Sequence, residues 1–326
     1  MGILDRIEVV HGDILDVEAD LLVMKHADGF YGADLAVARA LALKGGPAKG
    51  ALEFLPGRST VHAHEVAFLG VGVLYDFRYQ EIFEFGQDLL RIATEERPDS
   101  AVIATTIHGP GYGLDETVSF LAELRGMLES RYSEDATAAR IVFVEMSERR
   151  AYRLRRILAN LRDDVAEDMA AEASVETTPE EIEAEAQMFA GGRPDNDPRM
   201  LIVAMPFADK YEDEYHIGFT EAAHPNNYIC ECLKYEKYTG DVVREIERRI
   251  RSAKGIIALL NDRNPNVFLE IGYAMALSKP LILVAKEGET IPFDIRNLRR
   301  ITYTGIRELR TLMTDEIREL STQGVL

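Results

Sequence analysis

The stretch GIIALLNDRNPNVFLEIGYAMALSKPLILVAK, residues 255–286, decides the fold of the C-terminal half of the chain. It begins with a short apolar run that suits a buried strand of a parallel sheet, and a second such run follows Pro280. Between them, Asn264 and Pro265 predict a helix start, because asparagine is a good N-cap and proline is accepted at the first helical position. The order strand, loop, helix, strand predicts an α/β unit.

Glu270 is the residue of chemical interest in the predicted helix. Helical spacing places it on the same face as Val267, Ile271 and Ala274, which we expect to be buried against the sheet. A buried carboxylate is costly unless it is paired or takes part in chemistry, and pairing with an arginine is the common structural explanation. Both explanations are open on composition alone. Position favours chemistry, because the helix start faces the carboxyl end of the preceding strand, where open α/β sheets bind ligands.

The segment NPNVFLEIGYAMALSKP resembles the signature of the nucleoside 2-deoxyribosyltransferase-like superfamily, which includes TIR-like relatives. The resemblance covers about residues 199–305 and includes LIVAMPF at 201–207 and IPFDIRNLRRITY at 291–303. It implies a flavodoxin-like parallel sheet. It also implies that Glu270 corresponds to the glutamate that attacks C1′ of the sugar in the transferases.

The chain departs from that pattern at two positions. The transferases usually carry aspartates where this chain has Asn261 and Asn264, and Asp262 is the nearest remaining acid. Cleavage of an N-glycosidic bond passes through an oxocarbenium-like state that a carboxylate stabilises, but a neutral base leaves poorly unless an acid protonates it. Nicotinamide leaves NAD as a neutral molecule without a proton. We therefore predict NAD as the substrate, with Asp262 as the alternative acid.

The resemblance and the loop positions together predict the site of the C-terminal half. Glu270 is the expected nucleophile or oxocarbenium stabiliser, with Asn261, Asp262 and Asn264 positioning the sugar. The residues expected to bind the rest of the substrate are Met205, Pro206, Phe207, Tyr238, Gly272, Asp294 and Arg299.

The N-terminal half alternates strands and helices and predicts a second α/β layer. One of its predicted helices ends at Lys44 with Gly45 as the C-cap, and in the C-terminal half a helix is predicted over 211–223. A glycine-rich loop, TIHGPGYG from 106 to 113, follows a predicted strand, and such a loop presents backbone N–H groups that suit a phosphate. A purely steric reason for these glycines is equally open. Together with Gly12-Asp13-Ile14, the layout resembles a macro domain, the ADP-ribose-binding fold, over about residues 5–145. The first diphosphate loop lacks the usual asparagine pair. The resemblance implies a nucleotide site at Asp13, Ile14, Gly29, Gly32, His108, Gly109, Gly111, Tyr112 and Gly113.

Composition limits the classes of function. The chain has 326 residues and a formal net charge of −19, which argues against duplex nucleic acid as a partner. Its apolar runs are far shorter than the roughly 20 residues that a membrane helix needs, and the N-terminus shows no leader. The two cysteines, Cys230 and Cys232, predict reduced thiols in the cytoplasm and no metal site. We expect no cofactor. Because relatives of the transferases often complete a site with a neighbouring subunit, we expect a homo-oligomer.

The predicted domains are a macro-like domain at 1–147, an acidic helical linker at 148–198 and a transferase-like domain at 199–326. Between 163 and 185 the chain has ten Asp and Glu residues and no Lys or Arg. The arginines of the preceding helix, between 149 and 156, are expected to be solvated or to pair with this acidic segment. Three functions are open: an NAD or nucleotide N-glycosidase regulated by a nucleotide, as in bacterial anti-phage effectors; a non-catalytic nucleotide receptor; and a deoxyribosyltransferase or nucleotide hydrolase of salvage.

Overall fold

The computed structural model describes residues 2–133, 139–172, 199–206, 208–232 and 242–326. The chain divides into two compact units, one formed by residues 1–109 and 116–192 and the other by residues 110–115 and 193–326. Each unit contains a mainly parallel sheet with helices against it. The predicted fold class, α/β with two layer domains, is confirmed.

The first unit is built on a sheet with one antiparallel edge strand. The strands follow the order β1-β6-β5-β2-β4-β3, and the β3–β4 pair is antiparallel. β2 lies in the middle of the sheet and is buried along its whole length, as its apolar sequence predicts. The strands are β1 Ile7–His11, β2 Leu21–His26, β3 Leu52–Pro56, β4 Glu65–Gly70, β5 Val102–Thr105 and β6 Arg140–Glu145, and the helices are α1 Ala33–Ala40, α2 Tyr79–Arg91, α3 Glu116–Leu128 and α4 Glu148–Glu172.

The arginines of α4 belong to the structure of the first unit. We expected them to be solvated or to pair with the acidic segment, but Arg150 and Arg153 both donate to the buried carboxylate of Glu116. Arg155 donates to the carbonyl oxygen of Val9 at 2.8 Å, and Arg162 donates to Ile7 at 2.6 Å. β1 is an edge strand, and edge carbonyls left unpaired invite pairing with another chain. The arginines of α4 therefore protect this edge.

The second unit has the strand order β11-β10-β9-β7-β8, with every pair parallel. Counted along the unit, this is the 2-1-3-4-5 order of flavodoxin-like sheets. The strands are β7 Met200–Ala204, β8 Ile229–Cys232, β9 Gly255–Leu259, β10 Leu281–Lys286 and β11 Arg300–Tyr303, and the helices are α5 Val242–Ser252, α6 Pro265–Ala276 and α7 Ile306–Thr322.

Helices cover both faces of the second sheet. One face packs its core against α7 and against the helical segments between β7 and β8, through Phe219, Leu309 and Met313 among others. α6 packs on β9 and against α5, and its buried residues Val267 and Ile271 lie outside that core cluster. α6 and the segment after β7 therefore approach the sheet from opposite faces.

Several sequence predictions of local structure are wrong in detail. α1 ends at Ala40 rather than near Lys44, because Ala42 takes a left-handed conformation with φ 59°, so Gly45 is not the C-cap. β3 and β8 were not predicted. The helix predicted over 211–223 is instead a series of 3₁₀, π and α segments: Asp209–Tyr211, Glu214–Thr220, Glu221–Ala223 and His224–Asn226.

Candidate functional site

The second sheet has a switch point between β7 and β9. These strands are neighbours, but the chain continues from β7 to β8 on one side and from β9 to β10 on the other. In sheets of this order ligands bind in the crevice at the carboxyl ends of such strands. α6 follows β9 at this edge. Its predicted N-cap is confirmed, since the Asn264 side chain accepts a hydrogen bond from Asn266 N–H at 2.9 Å.

Glu270 lies on the buried face of α6, as its spacing predicts. The residue is 2% exposed, and its neighbours Val267, Ile271 and Ala274 are also buried. The structure therefore places an acidic residue in the interior of the helix that begins at the switch point. Its role as nucleophile stays a prediction.

The loop between β9 and α6 has a strained backbone. Asp262 and Arg263 take left-handed conformations with φ 60° and 49°, which residues with a Cβ rarely adopt. Such strain is concentrated at functional sites. The Lys210 ammonium, 2.6 Å from the Asp262 carboxylate, and the Tyr211 hydroxyl lower the pKa of Asp262. A lowered pKa is the wrong direction for a proton donor, so this loop does not favour Asp262 as the acid.

A second buried carboxylate, Glu214, lies at the same edge of the sheet. The Tyr303 hydroxyl donates to Glu214 Oε1 at 2.9 Å, and Glu214 is 5% exposed. Asn261 Nδ2 donates to the Tyr303 oxygen at 3.1 Å, and Asn261 Oδ1 accepts from Lys286 N–H at 3.0 Å. Burial raises the pKa of Tyr303, which keeps the phenol protonated. The residues that follow or end β9, β10 and β11 thus hold the Glu214 carboxylate in place.

The other oxygen of this carboxylate is not used within the fold. Glu214 Oε2 is buried and has no hydrogen-bond partner among the residues that the structure describes. A buried polar atom without a partner is rare in native proteins and indicates a strained, catalytic or ligand-binding group. Glu214 begins a π-helical segment, a conformation that is frequent at functional sites.

Sequence reasoning missed Glu214 and Tyr303. Glu214 follows Glu212 and Asp213, and nothing in the run of acids separates the buried one from its half-buried neighbours. Tyr303 stands inside a motif that was noted for its arginines. The available signal was the position of Tyr303 as the last residue of a strand, at the edge where ligands bind.

The remaining predicted residues of the second unit have different surroundings. Met205 and Pro206 are buried directly after β7, and Gly272 is exposed with open space around its Cα. The Arg299 guanidinium pairs with Glu316 on α7 through both terminal nitrogens, so its charge is used within the fold. Phe207, Tyr238 and the side chain of Asp294 lie outside the described residues.

In the first unit, the loops after β1 and β2 carry the predicted nucleotide-binding residues. Asp13 Oδ1 accepts a hydrogen bond from Leu15 N–H at 3.0 Å, which forms a tight turn. Ile14 is 4% exposed and belongs to the hydrophobic core, so only its backbone is available to a ligand. Gly29 and Gly32 have φ values of 158° and 54°, and the second is in the left-handed region.

The predicted diphosphate loop is divided between the two units. Gly109 belongs to the first unit, whereas Gly111, Tyr112 and Gly113 belong to the second. Gly109 and Gly113 have φ values of 107° and 95°, and a Cβ at Gly109 would collide with Ser119 Oγ. The steric reason for glycine therefore holds at both positions, and it leaves phosphate binding as a prediction.

His108 lies in this loop, but its ring belongs to the core. The residue is 3% exposed, its Nδ1 lies 3.2 Å from Glu123 Oε2, and its ring centroid lies 4.3 Å from that of Phe85. The imidazole is therefore fixed by contacts with α2 and α3, which is a structural role.

A broad groove of about 950 Å³ lies at the opposite, amino end of the first sheet. The Asp20 carboxylate there accepts hydrogen bonds from Ala101 N–H and Val102 N–H, both at 2.9 Å, and so organises the strand starts. None of the predicted nucleotide-binding residues lines it. The polar residues of the groove are Glu18, Asp20, Arg58, His62, His64 and Arg140.

Two general properties concern the described residues only. In the described ranges, no His, Cys, Asp and Glu side chains come together in threes or more to hold a metal ion. Among the helices of those ranges, none combines the length and the apolar character that crossing a bilayer requires.

Comparisons with known proteins give partial likenesses. No protein-family model matches the sequence, and no curated protein is similar to it. The Trypanosoma brucei macrodomain solved with ADP-ribose is 20% identical over 47% of this chain and 68% of its own, with a TM-score of 0.38. The Thermus aquaticus DarG macrodomain is 16% identical over 42% of this chain and 96% of its own, with a TM-score of 0.32. The Clostridium botulinum CMP N-glycosidase BcmB is 21% identical over 35% of this chain and 97% of its own, with a TM-score of 0.26. At these values no residue role follows from the likenesses.

Proposed function

We propose that the second unit cleaves the N-glycosidic bond of a nucleotide, with Glu270 as the group that meets C1′ of the sugar. The observation that carries this proposal is the position of Glu270: a 2% exposed carboxylic side chain on the helix that begins at the switch point between β7 and β9. Ligands of such sheets bind at this point. A carboxylate placed there can trap or stabilise the positive charge that develops on the sugar.

NAD is the substrate that we propose. Its nicotinamide leaves as a neutral molecule, so cleavage needs the carboxylate but no acid. The lowered pKa of Asp262 is consistent with this choice, because that residue is held as an anion by Lys210. The strained backbone at Asp262 and Arg263 supports a functional role for the loop.

For the first unit we propose a nucleotide of the ADP-ribose type as the ligand. The turn at Asp13 leaves its second carboxylate oxygen without a hydrogen-bond partner in the described part of the chain, and Gly32 and Gly109 need glycine for their backbone conformation. A nucleotide bound to this unit would regulate hydrolysis by the second unit. Such a protein is an effector of the kind used in anti-phage defence, and assembly as a homo-oligomer remains part of the proposal.

A non-catalytic nucleotide receptor is the second candidate, and one observation favours it. Both polar atoms of the Asn261 amide are used within the fold, between β10 and Tyr303, and Oδ1 of Asn264 accepts the hydrogen bond that caps α6. These contacts are structural, whereas the residues of a working transferase site would contact the sugar.

Hydrolysis of NAD by Glu270→Gln separates the two candidates. We expect the wild-type protein to release free nicotinamide, measured by chromatography, and Glu270→Gln to lose on the order of a thousandfold or more in kcat, as removal of a nucleophile does. Glu287→Gln is the matched control, because Glu287 is exposed. NAD binding without release of nicotinamide by the wild type would establish the receptor, and unchanged turnover in Glu270→Gln would exclude Glu270 as the nucleophile.

A further inference from the structure

We infer that Glu214 is the acid of the same reaction, donating a proton to the leaving base, so that the substrates include nucleotides with a neutral base. This inference rests on the proposed N-glycosidase function and widens its substrate class. The sequence disfavours neutral bases, because Asn261 and Asn264 replace the expected aspartates and leave Asp262 as the alternative acid. The structure places another carboxyl group at the same edge of the sheet.

The surroundings of Glu214 are those of a positioned catalytic group. Oε1 is fixed by the Tyr303 hydroxyl at 2.9 Å, while Oε2 is buried and has no hydrogen-bond partner among the described residues. The carboxyl group therefore has one oxygen that sets its orientation and one whose hydrogen-bonding capacity no described residue satisfies. No Lys, Arg or His pairs with Glu214 among the described residues, in contrast to Asp262 beside Lys210. A fixed cation would favour the anion and weaken a proton donor.

The hydrogen bonds behind Glu214 run in one direction. Lys286 N–H donates to Asn261 Oδ1, Asn261 Nδ2 donates to the Tyr303 oxygen, and Tyr303 O–H donates to Glu214. Because Asn261 has no acidic proton and burial raises the pKa of Tyr303, neither competes with Glu214 for the role of donor. The asparagine that departs from the transferase pattern thus supports the carboxyl group that replaces the lost acid.

The helical elements that carry the two carboxylic residues pack on opposite faces of the sheet. Glu270 comes from α6, which packs on β9 together with α5, and Glu214 comes from the π-helical segment that packs with α7 on the other face. Two carboxyl groups on either side of a glycosidic bond are the arrangement by which glycosidases separate attack on C1′ from protonation of the leaving group.

The reaction balances with water as the only co-reactant. In the first step the C1′–N bond breaks with its electron pair on the base, the proton of the Glu214 carboxyl group passes to the base, and a Glu270 oxygen bonds to C1′. In the second step a water oxygen bonds to C1′, the bond from C1′ to Glu270 breaks with its pair returning to the carboxylate, and the released proton passes to solvent, from which Glu214 is protonated again.

The test compares leaving groups in Glu214→Gln. The substrates are cytidine 5′-monophosphate, whose base needs a proton, and two whose base already carries positive charge, NAD and 7-methylguanosine 5′-monophosphate. For the pyrimidine nucleotide we expect kcat to fall about 10²- to 10⁴-fold, the usual contribution of a general acid, and to lose its decline at high pH. Turnover of the two charged substrates should be unchanged, which also shows that the variant is folded. Glu212→Gln, two residues earlier in the chain and less buried, should match the wild type for all three.

Two outcomes would overturn the acid role. An equal loss with all three substrates in Glu214→Gln would mean that the residue positions the sugar or the fold. Wild-type cleavage of NAD without cleavage of the pyrimidine nucleotide would mean that no acid operates, while the proposed function stands. Failure of the wild type with all three substrates would instead overturn the proposed function itself, and with it this inference.

Discussion

The candidate functional groups at the carboxyl edges of the two sheets differ: they are mainly backbone groups in the first unit and buried side chains in the second. In the first unit the residues singled out there are loop backbone, with glycines at φ 54° in Gly32 and 107° in Gly109 and a single carboxylate at Asp13. In the second unit the edge is made of buried side chains, with Glu214 and Tyr303 in one hydrogen-bonded chain. Backbone N–H groups suit the recognition of an anion. Buried carboxylates suit chemistry at a centre that becomes positive.

The proposed function gives recognition to the first sheet and bond cleavage to the second, in line with this difference. The role of each sheet can be tested separately by substitution, because the proposed acid and nucleophile of the second sheet need no predicted residue of the first. Three variants sharpen the contrast, and each changes one edge only.

Asp13→Ala has the largest expected effect on the first edge. If Asp13 binds the adenine end of an ADP-ribose-like nucleotide, loss of a hydrogen bond to a charged group should raise the Kd on the order of 10- to 100-fold. Calorimetry with ADP-ribose measures this Kd. Asp16→Ala is the control, since Asp16 is exposed three residues further along. Equal affinities of the two variants would move the nucleotide away from this loop.

Asn261→Asp tests the second edge. The new carboxylate would face the Tyr303 oxygen, whose only proton already goes to Glu214, so two acceptors would meet without a donor. We expect the free energy of unfolding to fall by about 1–3 kcal/mol. Burial raises the pKa of such a carboxyl group in the folded state above its unfolded value, so the loss should be largest above the folded pKa and should shrink as the pH falls through it.

Urea unfolding at pH 8 and pH 5 checks this expectation. Asn266→Asp is the control, because Asn266 is exposed in the first turn of α6, where a negative charge is favourable. A restored or increased turnover of neutral-base nucleotides in Asn261→Asp, with no loss of stability, would show that the missing aspartate and not Glu214 is the acid.

The sequence predicts the secondary structure of a segment well where a local pattern, such as an apolar run or a helix cap, determines it. The strands around 201, 255 and 281 are continuous apolar runs, and the start of α6 follows from Asn264 and Pro265. The misses are segments where tertiary contacts decide. β8 carries Glu231, fully buried and paired with Arg249, and a strand with a charge inside it has no apolar pattern.

The site was predictable only in part for the same reason. Glu270 follows from helical spacing and strand order, which are local. Glu214 depends on Tyr303, 89 residues away in sequence, and on Asn261, and only the folded chain brings these three together. Arg299 was predicted to bind the substrate, and only the folded chain shows that its guanidinium pairs with Glu316.

Gly109→Ala has the smallest effect and separates a steric glycine from a ligand-binding one. Alanine at φ 107° is strained and its Cβ would meet Ser119 Oγ, so we expect a loss of about 1–2 kcal/mol in the free energy of unfolding. Gly111→Ala is the matched control, because no atom lies within 4 Å of its Cβ and its φ is not positive. Thermal unfolding compares the two. If Gly111→Ala keeps its stability but loses ADP-ribose affinity, the loop binds the ligand through its backbone, whereas unchanged affinity in both variants means that these glycines serve the turn alone.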